Sequence, residues 1–175
     1  HVRSDCDRVL LCPDCGEYVM MTEAQYQTLA AALRAETDAG VVAAMAIRND
    51  VYLAEWCNAE SAVDAWQSAM TNRLLFEAGD VTKFDGLSAG KRDSWKLLLE
   101  FAPIDFARNK MRKAVTDIWG NTDSVAVLQA CTRKATNAEN YLGGNSATEN
   151  TVTALKLKWT GTTSYSEIGE ILNRY

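Results

Sequence analysis

Two thiols around a tight turn stand out first. In Cys12-Pro13-Asp14-Cys15-Gly16 the sulfurs are three positions apart, the spacing of one hook of a tetrahedral zinc site. Cys6 offers a third ligand, and His1, Cys57 or Cys131 would have to supply a fourth. A structural zinc site normally shows two such hooks, and one is visible, so free thiols, a disulfide, or an extension that is not part of the native protein together outweigh zinc as readings of Cys6, Cys12 and Cys15. Cys57 and Cys131 fall on predicted apolar helix faces and read as small core residues.

Other catalytic chemistry is sparse. His1 is the sole histidine, which removes Ser–His and Cys–His catalysis from the body of the chain. The segment Gly86-Leu87-Ser88-Ala89-Gly90-Lys91-Arg92 is one residue short of a phosphate loop, and Arg92 stands where Ser or Thr would hold magnesium. Glu100 and Asp105 are carboxylates without a marked partner, and Asp105 is better placed as a helix cap. Arg108, Lys110, Arg112 and Lys113 cluster on one helix and could meet phosphates. The chain is acidic overall and no aromatics interleave, which favours a solvated helix face.

The elements that carry these residues are mostly helices. At 175 residues, 47% apolar and 23% charged, the chain fits one domain able to bury a core. It has no run of about 18 apolar residues to span a membrane, and its first residues lack a secretory pattern. A soluble, unexported protein is expected. The chain opens on His1, and Met20 or Met21 is the expected start of the domain-like sequence. Residues 1–20 then form a cysteine-containing extension and residues 21–175 a single helical domain.

Helix starts are written as capping boxes at Thr22–Gln25, Thr136–Glu139 and Ser164–Glu167. Tyr26, Leu29 and Leu33 share a face of the first helix. Asp38-Ala39-Gly40 breaks it, Val41–Ile47 forms a second, and Asp50 is the expected cap of a third. Ser61 with Asp64 leads into a predicted helix carrying Val63, Trp66 and Met70. Residues 76–88 read as loop. Trp95, Leu98 and Leu99 mark the next helix, ended by Pro103. Met111, Val115, Ile118 and Trp119 line another, which Gly120 stops before a further helix from Thr122. Leu155, Leu157 and Trp159 alternate with lysines, the period of a strand. One strand cannot stand alone, so it must pair within the chain or with a neighbouring copy. The expected fold is mainly α, a helical bundle with one short β-strand or hairpin near the C-terminus.

The net charge of −5 is uneven. Residues 22–88 carry four basic and ten acidic groups, a net of −6, whereas 89–134 carry nine basic and five acidic, a net of +4. Blocks of opposite sign can steer copies head to tail, or simply be two solvated surfaces. Most of the five tryptophans fall on predicted buried faces; Trp159, beside Lys158, is the candidate interface anchor, or else packs on the last helix.

Four segments carry a resemblance. They are Trp95-Lys96-Leu97-Leu98-Leu99 on to Pro103-Ile104-Asp105; Asn109 through Arg112 to Ile118-Trp119-Gly120; Arg133-Lys134-Ala135-Thr136-Asn137-Ala138-Glu139; and Trp159-Thr160-Gly161 to Ser164-Tyr165-Ser166-Glu167-Ile168. In this order they resemble small virion proteins of tailed bacteriophages and prophages, of the head-tail connector or neck adaptor type. The resemblance covers roughly the C-terminal half, more weakly the helices from Thr22, and not residues 1–20. It implies a structural protein, not an enzyme, made in the host bacterial cytoplasm and found in the virion neck. It implies a homo-oligomeric ring, a dodecamer by analogy with portals, that touches the portal protein and the tail or nozzle proteins. Genome DNA would pass through without sequence recognition, along a channel that the acidic 22–88 block could line. The strand residues Leu155, Leu157 and Trp159, the terminal-helix residues Ile168, Ile171 and Tyr175, and the basic Arg108 and Arg112 are the expected contact residues. The alternatives are a minor tail or capsid-associated protein, or a small zinc-binding regulatory or nucleic-acid-binding module that uses the Cys12–Gly16 segment and the basic face at 108–113.

Overall fold

The computed structural model describes residues 20–101 and 103–175, in which nine helices and four strands follow one another. The first helix, α1 (Glu23–Ala35), opens on the expected box: Thr22 Oγ1 accepts from the Gln25 amide and Gln25 Oε1 from the Thr22 amide. Asp38 then starts α2 (Ala39–Ile47), accepting from the amides of Gly40 and Val41. The cap of α3 (Asp50–Asn58) is Asn49, not Asp50; its side chain accepts from the Tyr52 amide.

The segment after α3 corrects the sequence reading. Residues expected as a helix through Val63 and Trp66 form β1 (Glu60–Trp66). Valine and tryptophan suit either element, and a short apolar run does not distinguish them by period. Pairing with distant segments decides for the strand. The 76–88 loop is also partly helical, with α4 (Asn72–Ala78) capped by Thr71 and α5 (Val81–Phe84) capped by Asp80. Ser88 caps α6 (Ala89–Glu100), so the near-phosphate-loop sequence is a helix start, and Arg92 reaches back to the Asp85 carbonyl.

Asp105 does not cap α7 (Asn109–Ala130). Arg108 takes that place without a side-chain bond, and Asp105 instead receives the Ala107 amide and the Arg108 guanidinium. Gly120 interrupts α7 at φ 78 and ψ 170, the stop expected from the sequence. Next come β2 (Thr132–Thr136), α8 (Asn137–Leu142), β3 (Gly144–Glu149), β4 (Val152–Leu157) and α9 (Tyr165–Arg174).

The strands make one sheet in the order β2-β1-β4-β3. The hairpin near the C-terminus is present as β3–β4, but the sheet is larger than expected, since β1 lies mid-chain. β1 is antiparallel to β2 and parallel to β4, with Ala65 opposite both Arg133 and Leu155. β4 therefore pairs on both sides within the chain. Helix α8 carries the chain from β2 at one edge to β3 at the other.

Two apolar clusters flank this layer. The first joins α1, α2, α3, α8 and α9, with Leu29, Leu33, Leu53, Ile168 and Ile171 at its centre. The second joins α4, α6 and α7 to the sheet through Trp66, Val152 and Ala154. No helix among the described residues is long and apolar enough to cross a membrane.

Candidate assembly surfaces

Cys6, Cys12, Cys15 and His1 lie outside the described residues. Cys57 and Cys131 are both fully buried, one in each cluster, and desolvation pushes their thiols up to about 12. Neither is a nucleophile near neutral pH. Among the described residues, no group of three or more His, Cys, Asp or Glu side chains is placed to hold a metal ion.

The basic helix start splits in two. Arg108 is exposed and paired with Asp105 at 3.1 Å, and Lys113 is paired with Asp117 at 3.2 Å. Arg112, four residues after Arg108, is only 4% exposed. Its guanidinium lies 5.0 Å from the Trp66 ring centroid and donates to the carbonyls of Phe106 and Ala107 at 2.7 and 2.9 Å. Burial lowers its pKa, and these acceptors with the indole face compensate the charge. Arg112 thus ties the 106–107 turn to the sheet. It does not share an exposed basic face with Arg108.

The C-terminal contact candidates also lie inward. Trp159, Ile168 and Ile171 are buried in the first cluster, with Tyr175 packed against it. Leu155 and Leu157 are half-buried on β4, which has no free edge. A stripe of apolar residues shows that a helix packs against something; it does not show whether the partner is the same chain.

The exposed apolar surface is elsewhere. Helix α2, Ala-Gly-Val-Val-Ala-Ala-Met-Ala-Ile, has no charged residue, yet only Val41 and Ala44 are buried. Val42, Ala43, Ala46 and Ile47 share its outer face, and Ile47 is 74% exposed. Val51 and Tyr52, at the start of α3, extend the patch. A helix apolar all round is normally covered. The uncharged run Ala39–Ile47 is the sequence signal for it.

The second surface is a groove of about 310 Å³ between α4, α5 and α6, floored by α7. Phe76, Val81, Phe84, Trp95, Leu99 and Trp119 line it, with Lys96 and Asp80 on the wall. Val81 is 61% exposed, and Leu97 on α6 and Phe101 at its C-cap stand exposed. The Trp95 and Trp119 rings meet edge to face at 5.2 Å, and both six-membered edges approach Gly79. Trp119 Nε1 is buried and has no hydrogen-bond partner. Such an orphan donor costs about 1–3 kcal/mol. Asp80 is already engaged by the Thr82 hydroxyl and amide, which hold its carboxyl below the usual range. Trp95, Leu99 and Trp119 are legible as helix-face residues in the sequence, whereas the wall from Phe76 to Phe84 has a loop-like sequence pattern.

No family model matches the chain, and neither a curated protein nor a solved structure matches it.

Proposed function

We propose that the chain is a structural subunit of a tailed-bacteriophage virion, an adaptor of the neck that assembles with copies of itself between portal and tail. The observation that carries this reading is the uncharged helix α2 with its outer face open to solvent. Apolar surface concentrated on one helix is what a protein–protein contact requires, and a small chain that stands alone has reason to avoid it. The described polar groups support the same view. Arg112, Glu139 and the three capping boxes hold elements in place and leave no cluster of acids, bases and nucleophiles around a cleft. The segments Trp95–Asp105, Asn109–Gly120, Arg133–Glu139 and Trp159–Ile168 supply the resemblance to connector proteins.

In this role the subunit performs no chemistry. It offers the portal and the tail proteins a docking surface and lets the genome pass without reading it. Proteomics on purified particles of the phage or prophage that encodes the chain, with image reconstruction of the neck, tests the reading. The chain is expected in particles in ring stoichiometry with the portal. Its absence from purified virions would overturn the proposal.

A further inference from the structure

We infer that the outer edge of β3 pairs antiparallel with the β3 edge of a second copy, joining the two sheets about a twofold axis at Ser146. This goes beyond the neck reading and does not rest on it.

The register of the hairpin shows which backbone groups are spare. In an antiparallel ladder, pairs that exchange two hydrogen bonds alternate with pairs that exchange none. The Lys158 amide donates to the Gly143 carbonyl, so the bonded pairs continue as Asn145 with Lys156, Ala147 with Ala154 and Glu149 with Val152. Gly144, Ser146 and Thr148 fall between them and turn their N–H and C=O groups away from β4. Among the described residues, no group bonds to these outward amides and carbonyls. Asn145, Ser146 and Thr148 are exposed.

The opposite edge of the sheet is closed. The Gln67 amide donates to the Cys131 carbonyl, which makes Ala65 with Arg133 a bonded pair and turns Thr132 and Lys134 outward on β2. Their carbonyls are taken by Gln67 Nε2 at 3.2 Å and Arg133 Nη1 at 2.9 Å. Charge, proline or a bulge blunts an edge because a bare one is a template for another strand. β2 carries Arg133 and Lys134, and its register with β1 shifts between Glu60 and Asp64. Residues 143–148 hold no charge and no proline, and the β3–β4 register runs without a shift.

The β3 edge is its own complement. Its spare groups stand at every second residue, a spacing that another strand matches. With Ser146 facing Ser146 of the second copy, each Gly144 meets a Thr148, and every outward donor and acceptor of the three residues is used. No like charges meet along this stretch. The ends of the hairpin differ in sign: Glu149 lies at one, and the exposed Lys156 and Lys158 lie at the other, on the same face. Glu149 Oε1 accepts from the Thr116 hydroxyl, which leaves Oε2 for a partner. Antiparallel pairing sets Glu149 across from Gly143 of the second copy, beside its Lys158, and does so twice by symmetry. Parallel pairing would bring like ends together. The contact closes at two copies, so it describes the free chain and not a ring.

Charge reversal at the axis tests this in the full chain. Ser146 is exposed, so Ser146→Lys and Ser146→Glu are expected to keep the wild-type far-UV circular dichroism melt. In sedimentation across a concentration series, wild type is expected to dimerise. Each variant alone sets like charges directly opposite and is expected to dimerise about fivefold or more weakly. An equal mixture of the two sets Lys against Glu and is expected to restore the dimer. Amide hydrogen exchange gives a second readout: Gly144, Ser146 and Thr148 are expected to exchange fast in dilute wild type and to slow as concentration rises. Asn145, Ala147 and Glu149, bonded to β4, are expected to be slow throughout. A wild-type chain that stays monomeric up to millimolar concentration overturns the proposal. So does a dimer in which the three outward amides still exchange fast, a Ser146→Lys variant that dimerises as wild type does, or a mixture that fails to restore the dimer. None of these results bears on whether the chain is in the virion, so this proposal and the neck reading fail separately.

Discussion

Glu139 is 2% exposed, and its carboxylate receives both terminal nitrogens of Arg133 at 2.6 and 2.7 Å and the Thr136 amide at 2.9 Å. The hydrogen bonds that Arg133 donates to Glu139 raise the Arg133 pKa. Arg133→Met leaves the carboxylate buried with the amide alone. Breaking buried pairs costs about 3–5 kcal/mol, and because the Arg133 side chain is 35% exposed, water can partly replace it; a loss of about 2 kcal/mol in urea denaturation is expected. Tyr26 and Tyr141 give a pH signature. Desolvation first, then the carboxylates of Glu167 and Glu36 respectively, raise their phenols from 10.0 to about 12. A folded-state pKa above the unfolded one contributes stability that is complete below the unfolded value and lost as pH rises through the folded one. Thermal melts are therefore expected to fall between pH 10 and about 12, and less steeply in Tyr141→Phe, with phenolate absorbance tracking the loss.

At the scale of elements, three helices begin where the sequence writes a capping box, because the interaction spans only three residues and needs nothing from the rest of the chain. Ser164→Ala removes the cap of α9 and is expected to cost about 1 kcal/mol, read as a lowered melting temperature. Gly120 is a different kind of local signal. At φ 78 and ψ 170 it occupies a region open essentially to glycine, with no atom within 4 Å of where a Cβ would stand. Gly120→Ala is thus expected to cost about 1–3 kcal/mol from backbone strain alone, with no steric clash to relieve. The strands β1 and β2 were not legible in this way. Thr132–Thr136 runs directly into the box that starts α8, and Thr136 ends the strand while capping the helix. Pairing makes these segments strands: Trp66 with Thr132 and Asp64 with Lys134 between β1 and β2, and Ala65 with Leu155 between β1 and β4.

Across the whole molecule, the sheet and α8 join the two apolar clusters. Trp66, in the second cluster, donates from Nε1 to the Ala147 carbonyl on β3, while α8 packs Ala138 and Leu142 into the first. The clusters should therefore melt together. Leu53→Ala in the first and Leu128→Ala in the second each empty a fully buried site and are expected to cost about 2–5 kcal/mol. In both variants, tryptophan fluorescence and far-UV circular dichroism are expected to give one coincident transition. Separate transitions would show that the sheet does not couple the clusters.

The sequence by itself determined the helix-rich class, three helix starts, the break at Gly120 and the strand β4 at Leu155 and Leu157. These rest on contacts between residues a few positions apart. Tertiary structure decided which apolar face met the chain's own core. Ile168 and Ile171 on α9 are covered, whereas Val42 and Ile47 on α2 are not. It also placed Arg112 over Trp66 and Arg108 in water, though both sit on the same turn of sequence. The physical reason is that burial depends on which distant surface arrives, and neither the spacing nor the polarity of a segment specifies that surface.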